Sequence, residues 1–239
     1  MGNVEEKNET AKSGEKKGFL PWLTEGRLEM FIAIFLGVTA VLTAWATWIG
    51  SLHGGNQATN YTTSNNISAE GNSMWNEGSQ QYMQDLMIWN NIVDYQTELE
   101  IAELEGNQEK ADIINNKIDT LIYDSCSDDF ADAIEWAFAQ EEWASPFDKE
   151  GYMDSYYAEA QATLDEADEY LAQGQEDNAN GDRFGLVQVL YSLVLFLLGI
   201  IGIFKNLPNR KIVFIVSLVF LLAGFIYMLT IPLPQGFSL

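Results

Sequence analysis

The chain has 239 residues, with 35 Asp and Glu against 12 Lys and Arg, so its formal net charge is −23. This charge excludes a nucleic-acid partner, because phosphates need a basic surface. The charge is also uneven, since 29 of the acidic residues but only four of the basic ones lie in residues 51–183.

We expect residues 1–23 to form a cytoplasmic N-terminus. Residues 1–18 are rich in Lys, Glu, Asn and Gly, and we expect them to be disordered. Residues 19–23 include Trp22 and are suited to the level of the lipid headgroups. Thr24 is a candidate N-cap for the helix that follows.

Three uncharged apolar segments lie at residues 30–52, 184–204 and 212–231. Each has about the 20 residues that a helix needs to cross a bilayer. With Thr24 as N-cap, we expect transmembrane helices at 24–52, 184–204 and 212–231. The Ala44-Trp45-Ala46 triplet resembles a signal-peptide cleavage site, but the long, mixed-charge segment before it and the start at Met1 favour a retained helix.

Basic residues predict the orientation. Five of them precede or begin the first span, and three occupy the turn between the other two: Lys7, Lys12, Lys16, Lys17 and Arg27, then Lys205, Arg210 and Lys211. Both groups belong in the cytoplasm by the positive-inside rule. We therefore expect a cell-membrane protein with a cytoplasmic turn at 205–211 and with residues 53–183 and 232–239 outside.

Small residues recur along the first helix at steps of three and four, which we call the small-residue seam. Its members are Ala33, Gly37, Ala40, Ala44, Thr47, Ser51, Gly54, Ala58, Thr62, Asn65, Ala69, Asn72, Asn76 and Ser79. A period of about 3.5 residues marks a packing face, and small side chains let two backbones approach closely. The sequence thus predicts one helix over residues 30–79 that meets a partner inside the bilayer and beyond it.

Residues 53–183 have helical periodicity throughout and predict an acidic extracytoplasmic helical bundle inserted between spans one and two. Glycine and asparagine predict a turn at 105–107, followed by two short helices. The Ser145-Pro146-Phe147-Asp148 sequence predicts the start of a fourth helix that leads into span two, with a break allowed at Gly181. We expect the first and fourth helices to pack antiparallel as a stalk.

Span two has a second set of small residues one heptad apart, Gly185, Ser192 and Gly199. They predict a second packing face within the membrane. The turn at 205–211 contains Pro208 and is short, so spans two and three should form a hairpin. The expected fold class is therefore all-α, with three transmembrane helices.

One set of residues carries a family resemblance: Asn56, Ala58, Thr59, Thr62, Asn66, Ile67, Ala69 and Trp75. Together with the one-span, helical-insert, two-span layout, they resemble a family of uncharacterised bacterial three-span membrane proteins. The residue similarity covers about a quarter of the chain. The resemblance implies a layout, and it implies no activity, substrate or catalytic residue.

The strongest metal candidates are Asp124, Asp128, Asp132 and Glu135, whose spacing resembles a calcium-binding EF-hand loop. The loop departs from that motif, because Asp129 stands where the motif has glycine. Helix capping and a solvated acidic face explain the cluster better. We therefore expect no cofactor, and Ca²⁺ is the one candidate ion.

Catalytic chemistry has little basis in this sequence. His53 and Cys126 are the single residues of their types, and phosphate-binding, nucleophile-elbow and metalloprotease motifs are missing. We predict that the protein is not an enzyme and has no catalytic or cofactor-binding residues. The spans lack ionisable residues between their ends, which argues against ion-coupled transport.

Three functions remain open. The seam favours a homo-oligomeric scaffold or accessory subunit in the lipid bilayer. A homo-oligomeric cation channel is the alternative, in which Thr39, Thr43 and Thr47 line the pore and the acidic domain concentrates cations at its mouth. A ligand-sensing subunit is the third, and it needs a cytoplasmic or membrane partner.

Overall fold

The structure is a computed structural model that describes residues 24–206 and 209–237. Its six α-helices are α1 (Glu25–Leu104), α2 (Gln108–Thr120), α3 (Asp128–Phe138), α4 (Tyr152–Ser155), α5 (Ala158–Ile203) and α6 (Arg210–Leu229). The described ranges contain no β-strand, so the all-α prediction is confirmed. The expectations for residues 1–23, for Pro208 and for the last two residues lie outside this part of the chain.

Three helices are long and apolar enough to cross a membrane: α1, α5 and α6. The apolar part of α1 lies in its first third, and that of α5 lies at its end. The predicted segment 30–52 lies within α1, and the segments 184–204 and 212–231 overlap α5 and α6 but extend one and two residues beyond their ends.

The chain folds into two compact units. Unit 1 contains the chain up to Asn56 and from Asp177 onward, and unit 2 is Gln57–Glu176. The helices α1 and α5 each contribute to both.

Unit 1 contains three helical segments in an up-down-up arrangement, in which the α5 segment runs antiparallel to those of α1 and α6. On α1, residues in this interface alternate at steps of four and three: Leu28, Ile32, Phe35, Thr39, Leu42, Ala46, Ile49 and His53. The matching sets continue on α5, at Asp177, Asn180, Phe184, Val187, Tyr191, Val194, Leu198 and Ile201, and on α6, at Arg210, Phe214, Ser217, Leu221, Gly224 and Met228. This spacing is the heptad spacing of coiled-coil packing, in which side chains of one helix fill gaps on the next.

Unit 2 pairs the rest of α1 with the start of α5 in antiparallel order. Gly71 lies against Leu164, and Gly174 lies against Tyr61. The short helices add a second apolar cluster, in which Phe130 stacks with Phe147 and Tyr152 at ring-centroid distances of 5.7 and 5.9 Å. The predicted antiparallel pairing of these two helices is present within this unit.

The local start and stop signals agree with the sequence in most places. Helix α1 ends at Leu104, Gly106 has φ +70°, and Asn107 caps α2. Ser127 caps α3 by accepting a hydrogen bond from the Phe130 amide.

The start of the fourth helix differs from the prediction. The capping box at Ser145 and Asp148 forms, but it begins only the single 3₁₀ turn Pro146–Asp148. The short α4 follows, and the long helix begins at Ala158. Gly151 interrupts the helix because it adopts φ +78°, a left-handed conformation. Gly181 introduces no break, and α5 continues through it.

Candidate functional site

The small-residue seam is exposed on the single chain. In unit 1 its exposed members are Ala33, Gly37, Ala40, Ala44, Thr47, Ser51 and Gly54, and in unit 2 they are Ala58, Thr62, Asn65, Ala69, Asn72 and Asn76. Ser79, the last member, is half-buried. At about 100° per residue, these positions lie roughly opposite the α1 face that packs inside each unit. No residue within 24–206 and 209–237 therefore covers this face.

The glycines of α1 include two groups, one on the exposed seam and one packed against the rest of the chain. A Cβ atom added at Gly37 or Gly54 would meet no atom within 4 Å. A Cβ atom at Gly78 would clash with the carbonyl oxygen of Tyr156, and one at Gly50 would lie 3.2 Å from the Cβ of Phe184. Close packing thus requires glycine at position 78 and leaves little space at position 50, whereas no contact among residues 24–206 and 209–237 explains glycine at 37 and 54.

The second predicted face, on α5, is also largely open. Ser192 is exposed, Gly185 and Gly199 are half-buried, and a Cβ atom at either glycine would meet nothing within 4 Å. These residues are therefore available to a partner, although they form a shorter stretch than the α1 seam.

The three threonines of α1 do not share one environment. Each hydroxyl donates to the carbonyl four residues earlier, at 2.6 Å for Thr39 and 2.8 Å for Thr43 and Thr47. Thr39 is fully buried, whereas Thr47 is exposed. Because their hydroxyls are used within their own helix, they offer water or an ion less than free hydroxyls would.

A buried polar cluster in unit 1 joins all three helical segments. His53 Nδ1 lies 2.7 Å from Asp177 Oδ1, and His53 Nε2 lies 3.1 Å from the carbonyl oxygen of Pro232. His53 is 1% exposed and its ring stacks on Phe184. A carbonyl oxygen only accepts, so Nε2 donates to it. No sequence pattern indicated a partner for His53, because Asp177 is 124 residues away.

This cluster should be energetically coupled. We expect His53→Phe, which keeps a ring next to Phe184, and Asp177→Leu each to lower the stability of the protein in detergent, because each removes the buried hydrogen bond between these two side chains. The double variant should lose less free energy of unfolding than the two single variants together. The difference, which is the coupling energy, should be about 1.5–3 kcal/mol for a hydrogen bond to a charged group. Thermal denaturation of the four proteins measures this, and additive losses would show that the contact contributes nothing.

A second buried cluster lies in unit 2. The Asp85 carboxylate, 1% exposed, accepts from the Tyr156 hydroxyl at 2.5 Å, the Tyr152 hydroxyl at 3.2 Å and the Gln81 amide at 2.8 Å. Burial and the hydrogen bond to Asp85 raise the pKa of Tyr156 far above its usual range. Burial also raises the pKa of Tyr152. With three donors the carboxylate is well satisfied, and the cluster holds α1 to the α4–α5 junction.

The acidic residues considered as calcium ligands do not converge on one point, and Cys126 does not join them in a site. Asp124, Asp128, Asp132 and Glu135 are all exposed, and Glu135 accepts a hydrogen bond of 3.3 Å from Tyr123. Within residues 24–206 and 209–237, no group of three or more His, Cys, Asp or Glu side chains is arranged to hold a metal ion. The calcium prediction therefore gains no geometric support. Burial, followed by the charge of Asp85, raises the pKa of Cys126 to about 11, so the thiol is protonated at neutral pH.

The fold thus defines a class, an all-α protein with three helices able to cross a membrane. No protein-family model, curated protein or solved structure matches the chain.

Proposed function

We propose that this chain is a non-catalytic, homo-oligomeric multi-pass membrane protein that acts as a scaffold or accessory subunit. The observation that carries the proposal is the exposure of the small-residue seam in both units. In a bilayer, where apolar side chains gain little by leaving lipid, helices associate through close backbone approach at small residues. A seam that the chain leaves uncovered is therefore best explained by another copy.

The proposed arrangement in the membrane follows from charge. Spans at 24–52, 184–204 and 212–231 place the basic residues near 27 and 205–211 in the cytoplasm, in agreement with the positive-inside rule. Unit 2, which holds most of the 35 acidic residues, is then the extracytoplasmic domain inserted between spans one and two. The polar members of the seam, such as Asn65 and Asn72, suit an interface that continues in water.

The alternative functions have less support. A channel lined by Thr39, Thr43 and Thr47 would have to use hydroxyls that already bond to their own helix. A ligand-sensing subunit would need a binding site and a cytoplasmic partner, and the buried polar clusters at His53 and Asp85 have their hydrogen bonds satisfied within the chain. Membership of the uncharacterised three-span family, which the residues around Asn56–Trp75 resemble, is likewise part of the proposal.

Disulfide cross-linking tests the seam directly. In a Cys126→Ser background, single cysteines at Ala44, Ser51 and Ala58 should form covalent dimers in membranes under mild oxidation, because equivalent seam positions face each other across a two-fold contact. Val38→Cys is the matched control, since this position is 43% exposed but lies off the seam. Equal cross-linking at Val38 and at the seam would contradict the proposed interface.

A further inference from the structure

A separate groove runs along unit 1 between α1 and α6, within the segments that are apolar enough to cross a membrane. It has a volume of about 460 Å³ and only apolar walls. The lining residues are Phe35, Val38 and Leu42 on α1 with Leu218, Leu221, Leu222 and Phe225 on α6. The two helices run parallel here, because Arg210 bonds to Glu25 at one end and Phe35 contacts Phe214 further along.

The groove is distinct from the small-residue seam. Its α1 wall at Phe35, Val38 and Leu42 borders the internally packed face, whereas Gly37 and Ala40 point to the far side at about 100° per residue. Self-association through the seam would therefore leave the groove open to lipid.

Basic residues stand at one end of both walls. Lys211 precedes Leu218, Leu222 and Phe225 by 7, 11 and 14 positions, which places all four on one face of α6. Arg27 precedes Val38 by three helical turns on the corresponding face of α1 and is exposed. At about 1.5 Å per residue, the groove extends from about 10 to 21 Å beyond Lys211. Half of a hydrocarbon core is about 15 Å thick, so the nearer part of the groove lies at the depth of the end of an acyl chain, and the remainder extends past the midplane.

At the same end of unit 1, nitrogen atoms of two basic side chains have no partner among the described residues. Arg210 is 5% exposed, and it donates from Nε to the Ile201 carbonyl at 2.7 Å and from Nη1 to Glu25 at 2.9 Å. Its buried Nη2 atom has no hydrogen-bond partner among residues 24–206 and 209–237. Lys205 pairs with Glu29, whereas no carboxylate in those ranges pairs with Lys211.

We propose that the groove binds one acyl chain of an anionic phospholipid, with the headgroup phosphate at Lys211 and the start of α6. The proposal rests on the membrane insertion proposed above, and it deepens that function by naming the lipid class. The apolar walls select a lipid chain, and the basic residues select a negative headgroup over a zwitterionic one.

Native mass spectrometry of the full chain released from nanodiscs tests this. In discs made from equal parts of phosphatidylglycerol and phosphatidylcholine, the retained lipid should be enriched in phosphatidylglycerol. Lys211→Ala should lower that enrichment about fivefold, the contribution expected of one lysine near an anionic surface. Leu222→Trp should fill the groove and reduce the number of retained lipids.

Two control variants distinguish a specific lipid site from a general attraction of the protein to anionic lipid. Lys205→Ala removes the same charge from the same end, and Val219→Trp adds the same bulk at an exposed α6 position that does not line the groove. Neither should change retention. Equal loss in Lys205→Ala and Lys211→Ala, or no enrichment in the unchanged protein, would overturn the lipid proposal. A chain that never enters the nanodiscs would instead contradict membrane insertion itself.

Discussion

Gly37→Leu and Ala44→Leu are expected to dissociate the oligomer while leaving each chain folded. Both positions are exposed, and a Cβ atom at Gly37 meets nothing within 4 Å of its own chain. In a close helix–helix contact, however, leucine would hold the two backbones apart. Overpacking of this kind costs about 1–3 kcal/mol, which corresponds to roughly 5- to 150-fold weaker association per contact. Sedimentation in detergent, with helical content followed by circular dichroism, measures both effects.

The control for these variants is Ala223→Leu, which makes the same change at an exposed position of α6 outside the seam. It should leave both the mass and the helical content unchanged. If Gly37→Leu and Ala44→Leu behave like Ala223→Leu, the seam is not an interface. If they lose helical content instead, the seam residues have a role in folding that the single chain does not explain.

Gly78→Ala is expected to cause the largest loss of stability among the glycine variants of α1. Replacing a helical glycine with alanine ordinarily stabilises a helix by about 1 kcal/mol. At Gly78 the new Cβ atom would clash with the carbonyl oxygen of Tyr156, so the backbone at the junction between α4 and α5 must move away. That movement also separates the Tyr156 hydroxyl from Asp85. We expect a net loss of about 2 kcal/mol or more, by analogy with overpacked cores.

Gly55→Ala provides the comparison on the same helix, because a Cβ atom there meets nothing within 4 Å. It should be neutral or slightly stabilising. The midpoint of thermal unfolding, followed by tyrosine absorbance, distinguishes the two variants. A Gly78→Ala protein as stable as Gly55→Ala would mean that α1 does not closely approach the α4–α5 junction at this point.

The helices and the three apolar spans can be predicted from the sequence because they depend on local signals. Turn residues at 105–107 and the cap at Ser127 act on their immediate neighbours, and apolar length alone identifies a span. The fourth helix was placed too early because a capping box stabilises one turn, whereas the left-handed Gly151 decides whether the helix continues.

The sequence does not predict in the same way which helix faces pack against each other. Helix α1 carries two sets of small residues at heptad spacing, the seam and the set Gly50, Ser64, Gly71 and Gly78 that packs inside the chain. Composition does not tell an internal contact from an external one, since both need small side chains. The His53–Asp177 contact shows the same limit, although one signal exists: Asp177 and Asn180 continue the spacing of the buried apolar residues of α5.

The most direct test of self-association is the mass of the intact protein in a nanodisc or mild detergent, measured by native mass spectrometry. We predict a single, defined multiple of the 26.8 kDa chain, and we predict that this multiple is lost in the Gly37→Leu, Ala44→Leu double variant. A monomer under conditions that preserve the fold would contradict the account, because the seam would then have no partner of its own kind.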